Sequence, residues 1–415
     1  MPSKFRATLV SVVMLFCALL PATASAVTTA PRDLLVAHKD GRLTVQKAGT
    51  ASAASAHRPG VRFVEPNYRY AAASVPTDEL FEEQWSLADD SLLGVQSAWD
   101  VSTGGSTVVA VIDTGADLTH PDLRDNLWRN PREIPGNGID DDGNGFVDDV
   151  NGADFVNRDG DPSDDNGHGT HVAGILAARG GNRVGVTGVA QRARLMVLKA
   201  LGADAVGSAE TMAEAVRYAV ANGAKIINMS VSGPGRSQAF EEAVQAASDA
   251  GVIMTVAAGN SGHDLDAQPE YPAAFPASHV LAVAATGRTG KLIGISNRGV
   301  GTVDIAAPGQ GIVSTAKGGD YEIRTGTSMA SPHVAGALVL LSSTRPDLGA
   351  DALQAALLGS ARRGVAVTTG TLDVAGAMRR VVSAARWRSA IRASSVRAAS
   401  KSKSKARRTA RGRAS

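Results

Sequence analysis

The sequence predicts an α/β fold, with a mostly parallel sheet covered by helices on both faces. Three observations carry this expectation. Short apolar runs recur, amphipathic segments of helical period lie between them, and the alternation is sustained from Asp78 to about Val382. The runs are Thr107–Ile112 (TVVAVI), Arg194–Leu201, Lys225–Met229 and Val252–Ala258. Continuous runs of this length suit strands buried on both faces. Between them, Ser208–Asn222 sets Met212, Val216, Ala219 and Val220 at helical spacing and closes at Gly223. Ser237–Ala250 repeats the pattern with Gly251 as its stop.

Composition agrees with a soluble globular body. Of 415 residues, 44% are hydrophobic and 20% charged, enough for one large domain with appendages or for two modest ones. Aromatics are only 4%, so the core is built from small and aliphatic side chains with close helix-on-sheet packing.

The segments flanking this body differ from it. Lys4 and Arg6, the apolar stretch Leu9–Leu20 and Ala24-Ser25-Ala26 predict an export signal over residues 1–26, too short for a comfortable membrane span. Cys17 is the only cysteine. Bulky Phe16 before it argues against lipid attachment, and it leaves with the signal, so the secreted chain has no internal disulfide. Residues 27–77 hold a strand candidate (Asp33–His38), an Ala/Ser-rich stretch (Ala48–Ala56) and the run GVRFVEPNYRY. They suit a pro-segment cleaved between Tyr70 and Asp78. Residues 383–415 form a basic low-complexity tail; from Arg386 on it has 11 Lys and Arg and no Asp or Glu. The rest holds 31 basic against 40 acidic residues, an acidic body with a basic end. The tail cannot bury a core; it is either merely solvated or a non-specific anchor to anionic polymers.

Three motifs carry chemistry. Asp113 follows the TVVAVI run, His168 lies in NGHGTHVAG, and Ser328 opens an apolar helix in GTSMASPHVAG, with Pro332 expected in its first turn. A serine hydroxyl becomes a nucleophile when an imidazole takes its proton and a carboxylate holds that imidazole's tautomer. The order Asp, His, Ser is one known for this geometry. His168 and His171 lack the third ligand of a metal site, so His171 reads as a packing residue.

These strings resemble the catalytic motifs of the subtilisin-like serine peptidases, the subtilases, and the resemblance runs from about Asp78 to Val382. It implies a three-layer α/β/α sandwich, preceded by a small α+β pro-segment that acts as an intramolecular inhibitor. It also implies that Asp113 orients the base, that His168 is the base and then the acid, and that Ser328 is the nucleophile. Asn260 and the Ser328 backbone N–H become the oxyanion donors. Ser230, Val231, Ser232 and Gly233 become one wall of the primary specificity pocket, and Ala257, Ala258 and Gly259 the other. Ala205, Val206 and Gly207 become a strand edge that pairs with substrate. Two departures stand out: Ser232 replaces a usual glycine, and Glu270 falls near the pocket base, where it would favour a basic or large polar residue before the scissile bond. Met329, beside the nucleophile, is open to oxidation.

Calcium is the expected cofactor, structural only. Asp140, Asp142, Asn144 and Asp148 take positions 1, 3, 5 and 9 of an EF-hand-like loop, with Gly145 at position 6, the Phe146 carbonyl at 7 and Asp149 following. Position 12 is Asn151, not Glu. By resemblance, Asp78, Asp122 and Asn182 with the carbonyls of Val184 and Val186 form a second site. The expected protein is a monomeric, secreted endopeptidase acting on flexible protein substrates. The rival reading is a non-catalytic calcium-binding surface protein. A nucleic-acid binder is disfavoured, because the basic charge is confined to the tail.

Overall fold

A computed structural model describes residues 33–40, 42–47, 59–66 and 76–383. The export signal, the Ala/Ser-rich stretch, residues 67–75 of the cleavable linker and residues 384–415 of the basic tail lie outside them. The chain divides into two compact units between Ala71 and Ala72.

In the first unit, β1 (Asp33–His38), β2 (Leu43–Lys47) and β3 (Val61–Pro66) form an antiparallel sheet in the order β2-β1-β3. Val36 opposes Thr44 on one side and Val64 on the other. Among the described residues this unit contains strands and no helix.

The second unit begins with three short helices, α1 (Trp85–Ala88), α2 (Asp90–Leu93) and α3 (Val95–Trp99). There follow β4 (Val108–Asp113), β5 (Gly152–Asp154), α4 (His168–Ala177), β6 (Arg194–Lys199), α5 (Ala209–Ala221), β7 (Ile226–Met229), α6 (Gln238–Asp249) and β8 (Ile253–Ala257). The chain continues with β9 (Val280–Thr286), β10 (Ile305–Pro308), the hairpin β11 (Ile312–Ala316) and β12 (Asp320–Arg324), then α7 (Thr327–Thr344), α8 (Ala350–Leu358), β13 (Gly370–Thr371) and α9 (Val374–Val381). Eight strands form one sheet in the order β13-β10-β9-β8-β7-β4-β6-β5, and every pairing in it is parallel.

The apolar runs are continuous because both faces are covered. Val109 and Val111 of β4 join a core with residues of α4 and α7, whereas Ala110 and Ile112 join a second core with α5 and α6. Ser208 and Ser237 cap α5 and α6. Each cap stabilises its helix by about 1 kcal/mol. No helix among the described residues is long and apolar enough to cross a membrane.

The expected place of Pro332 needs correction. Because α7 starts at Thr327, Pro332 sits inside the helix rather than in its first turn. There it deprives the Ser328 carbonyl of its i+4 donor. The Ser230 hydroxyl fills the gap, donating to the Ser328 carbonyl at 2.8 Å.

Candidate active site

The sheet brings the three motifs to one edge. β4 has β6 on one side and β7 on the other, so the strand order reverses around it, and crevices at such a point open beyond the strands' carboxyl ends. Asp113 ends β4, His168 is the first residue of α4, and Ser328 is the second of α7. Close approach depends on glycine. A Cβ on Gly169 would lie 3.1 Å from Asp113 Cβ, and Gly115 turns the chain out of β4 at φ 105°.

Asp113 is fully buried, and its Oδ1 lies 2.7 Å from His168 Nδ1. That oxygen also accepts the Thr114 N–H at 2.8 Å, while Oδ2 is buried with no partner among the described residues. Burial alone would lower the His168 imidazole. The Asp113 charge and hydrogen bond outweigh it and hold His168 above its ordinary value of 6.5. Ser328 Oγ donates to the Ser230 carbonyl at 3.2 Å, so it must turn to reach His168. Burial drives His171 down to about 3. Its Nε2 faces the Ile312 and Glu322 carbonyls at 3.1 and 3.3 Å, tying α4 to the hairpin.

Asn260 follows β8 and is exposed. Its Oδ1 accepts from Thr327 N at 2.9 Å and Thr327 Oγ1 at 3.1 Å, which leaves Nδ2 free to donate outward. The Ser328 N–H lies in the first turn of α7, where no intrahelical acceptor exists.

Sequence reasoning missed the groups that brace this arrangement. Asp164 accepts from Thr114 Oγ1, the Asn166, Gly167 and Thr170 N–H groups, and Thr170 Oγ1, linking both loops. Burial would raise Asp164, but the donors from Thr170, Gly167 and Thr114 outweigh it and hold it below the usual carboxylate range. Lys199 is fully buried and donates to the Thr114 carbonyl (3.1 Å), the Leu201 carbonyl (2.9 Å) and Asp165 (2.7 Å). Only the acid-rich string around His168 hinted at either.

A cleft of about 420 Å³ lies beside His168, lined by Leu201, Val206, Gly207, Met212, Ser230, Val231, Ser232, Gly233, Phe240 and Tyr271. Residues 205–207 are not a strand. Ala205 has φ 59°, and Gly202 N–H donates to the Val206 carbonyl, closing a turn. Ala257, Gly259 and Glu270 lie outside this cleft. Glu270 Oε2 accepts from Ser232 Oγ, and both side chains press against Gly259, so the two expected pocket walls touch. His263 Nδ1 lies 3.8 Å from the same carboxylate.

The acidic insertion gathers Glu133, Asp140 and Asp142, whose oxygens approach within 4.8 Å. Glu133 was not anticipated, because it stands outside the loop's spacing. Among the described residues its buried Oε2 has no partner, and the Asp142 side chain, 2% exposed, has Arg132 as its one cationic neighbour beside donors from Asn130 Nδ2 and the Asn144 N–H. Asn144 donates to Asp149, which is buried and also hydrogen-bonded by Asn130 and Tyr218. Phe146 packs its ring on Phe155. Asp148 turns away at φ 54°, accepting N–H groups of Gly136, Asn137 and Gly138 instead of joining the cluster. Hard oxygen donors with uncompensated charge fit calcium.

The second group is also assembled. Asn182 Nδ2 donates to Asp122 at 2.6 Å, Val186 N–H donates to Asp122 at 3.0 Å, and Gly181 N–H to Asp78 at 2.8 Å. Val184 N–H caps Asn182 Oδ1 at 2.9 Å. Burial pushes Asp78 and Asp122 up, and the Asp122 charge adds to the rise of Asp78.

Comparison with known proteins agrees with this geometry. The chain matches the Subtilase family over residues 104–384. It is 37% identical to a thermophilic serine proteinase of Bacillus sp. (strain AK1) over 306 residues, 73% of this chain and 69% of that one. It is 36% identical to thermitase of Thermoactinomyces vulgaris over 246 residues, 59% of this chain and 78% of thermitase. Among solved structures, a protease from Pseudoalteromonas arctica PAMC 21717 aligns with TM-score 0.64 and 29% identity, covering 74% of this chain and all of that one.

Proposed function

The chain belongs to the subtilase family and is a serine-type endopeptidase; from that premise we propose that Asp113, His168 and Ser328 form its triad in a secreted, calcium-stabilised enzyme freed by loss of its N-terminal unit. The carrying observation is the buried Asp113 carboxylate 2.7 Å from His168 Nδ1. Asp113 fixes the tautomer, so that Nε2 accepts the Ser328 proton as Oγ attacks the scissile carbonyl. Asn260 Nδ2 and the Ser328 N–H receive the developing oxyanion. His168 then returns its proton to the leaving amine, and water releases the acyl group by the same route. Cleavage of casein, halted by a serine-directed inhibitor, tests the reading; undiminished cleavage sinks it.

Secretion is supported by the N-terminal pattern of charge, apolar stretch and small residues. Activation is supported by the separate unit that ends at Ala71, close to the expected cleavage stretch. N-terminal sequencing of the secreted enzyme should read a start between Tyr70 and Asp78; a start upstream of Asp33 would refute removal of the unit.

Glu133, Asp140, Asp142, Asn144 and Asp149 would hold one calcium ion, and Asp78, Asp122 and Asn182, with the Val184 and Val186 carbonyls, another. Each ion supplies positive charge that pairs carboxylates otherwise costly to bury. At 100-fold over Kd one ion adds about 2.7 kcal/mol, so excess chelator should lower Tm by about 5–10 °C. The pH dependence follows from the raised Asp78 and Asp122. Without an ion, the stability they confer is present below their unfolded value of 3.8 and lost as pH rises through their higher folded values. The calcium-dependent gain in Tm therefore grows over that interval. A Tm indifferent to chelator at neutral pH would remove calcium from the account.

A further inference from the structure

Two basic side chains stand beside His168 outside the cleft. The cleft includes His168, Val206 and Ser230, but neither Arg324 nor Lys317. Those two side chains lie over Gly167, the residue before His168. A Cβ placed on Gly167 would meet Arg324 Nη2 at 3.3 Å and Lys317 Cδ at 3.8 Å. Arg324 ends β12, four residues before Ser328, and the hairpin that carries it is pinned to α4 through His171. Its position is therefore fixed relative to both reacting side chains.

The chemistry decides what this side of His168 meets. The acyl half of the substrate lies in the cleft beside Ser230, and His168 must hand its proton to the departing amine. The leaving segment thus passes His168 on the side away from the cleft, towards Gly167 and Arg324. Glu322 engages Arg324 through Nε and Nη2, both at 2.8 Å, and Nη1 has no hydrogen-bond partner among the described residues. Arg324 is 28% exposed, so a ligand can reach it. Lys317 adds a second positive charge on the exposed surface.

We propose that Arg324, assisted by Lys317, forms a carboxylate-binding subsite for the leaving segment, favouring an acidic side chain directly after the scissile bond. The proposal rests on the assignment of His168 and Ser328 as reacting residues. It leaves the preference on the acyl side to the residues around Ser232 and Glu270. Guanidinium suits the task, since it offers fixed planar donors to a carboxylate and stays charged across the working pH range.

The test uses the mature enzyme and C-terminally amidated, internally quenched peptides that differ only in Glu, Gln or Lys after the cleaved bond. With the terminus amidated, the glutamate is the added carboxylate. The expected order in kcat/KM is Glu, Gln, Lys, with Glu over Gln by about fivefold, the factor of a solvent-accessible ion pair. Arg324→Gln should reduce the preference to the small part that Lys317 supplies, and Arg324→Lys should keep more of it. A second readout separates charge from mere support of the hairpin. The charged groups acting on His168 are Asp113 from β4, Asp164 from its own loop and Arg324 from β12, and the neutral His171 adds none. Removing the guanidinium should move the acid limb of the rate profile to higher pH. Equal rates on Glu and Gln peptides in the wild type, or an unchanged preference in Arg324→Gln, would overturn the subsite alone. Hydrolysis that survives Ser328→Ala would overturn the site assignment and this inference together.

Discussion

Ser328→Ala lowers turnover on a peptide substrate by about 10⁶-fold, a magnitude taken from subtilisin itself, while the protein stays folded. The fold survives because Ser328 Oγ makes a single hydrogen bond, to the Ser230 carbonyl. Losing it costs about 1 kcal/mol. The bond from the Ser230 hydroxyl to the Ser328 carbonyl, which satisfies the acceptor freed by Pro332, is untouched by the substitution. Measured kcat and Tm should therefore separate, with activity gone and Tm nearly unchanged. Residual turnover within about 10²-fold of the wild type would mean that another group attacks the substrate.

Asp113→Asn is expected to cost about 10⁴-fold in kcat at neutral pH. An asparagine has no good orientation there. With its NH₂ towards His168 it donates where the imidazole must donate, and turns the base over. With its NH₂ in the other position it occupies the Oδ2 site, which is buried with no partner among the described residues. The pH profile supplies the second sign. Asp113 holds His168 above 6.5, so wild-type kcat/KM should climb with pH through a limb above that value as the base loses its proton. In Asp113→Asn the burial that lowers the imidazole is opposed only by the weaker Asp164 charge, and the limb should move down. A limb unmoved by the substitution would break the link between the two residues.

The residues proposed to react stood out in the sequence because each sits inside a short string whose neighbours have local work to do. Gly169 allows α4 to approach Asp113, and Thr114 accepts the Gly169 N–H. The strands were legible for a similar reason, since burial on both faces removes the polar alternation that would otherwise blur them. What escaped was long-range. Glu133 joins Asp140 and Asp142 from outside the loop whose spacing suggested calcium, and Asp148, at a proper position by count, is drawn off by three N–H groups. The Ser232–Glu270 contact joins residues 38 apart in sequence, and no periodicity announces it. Proline is best tolerated in a first turn, but Pro332 lies deeper in α7, where the Ser230 hydroxyl, 98 residues earlier in the chain, compensates for it. Residues 205–207 read as a strand by resemblance, yet Gly202 closes a turn on Val206.

The central claim is that one hydroxyl, activated by one imidazole, does the chemistry. It is tested most directly by inactivating the mature enzyme with a serine-directed phosphonate and locating the adduct by peptide mass spectrometry. One equivalent should be bound to Ser328, formed faster as pH rises through the His168 limb. Full inactivation with Ser328 unmodified would contradict that claim.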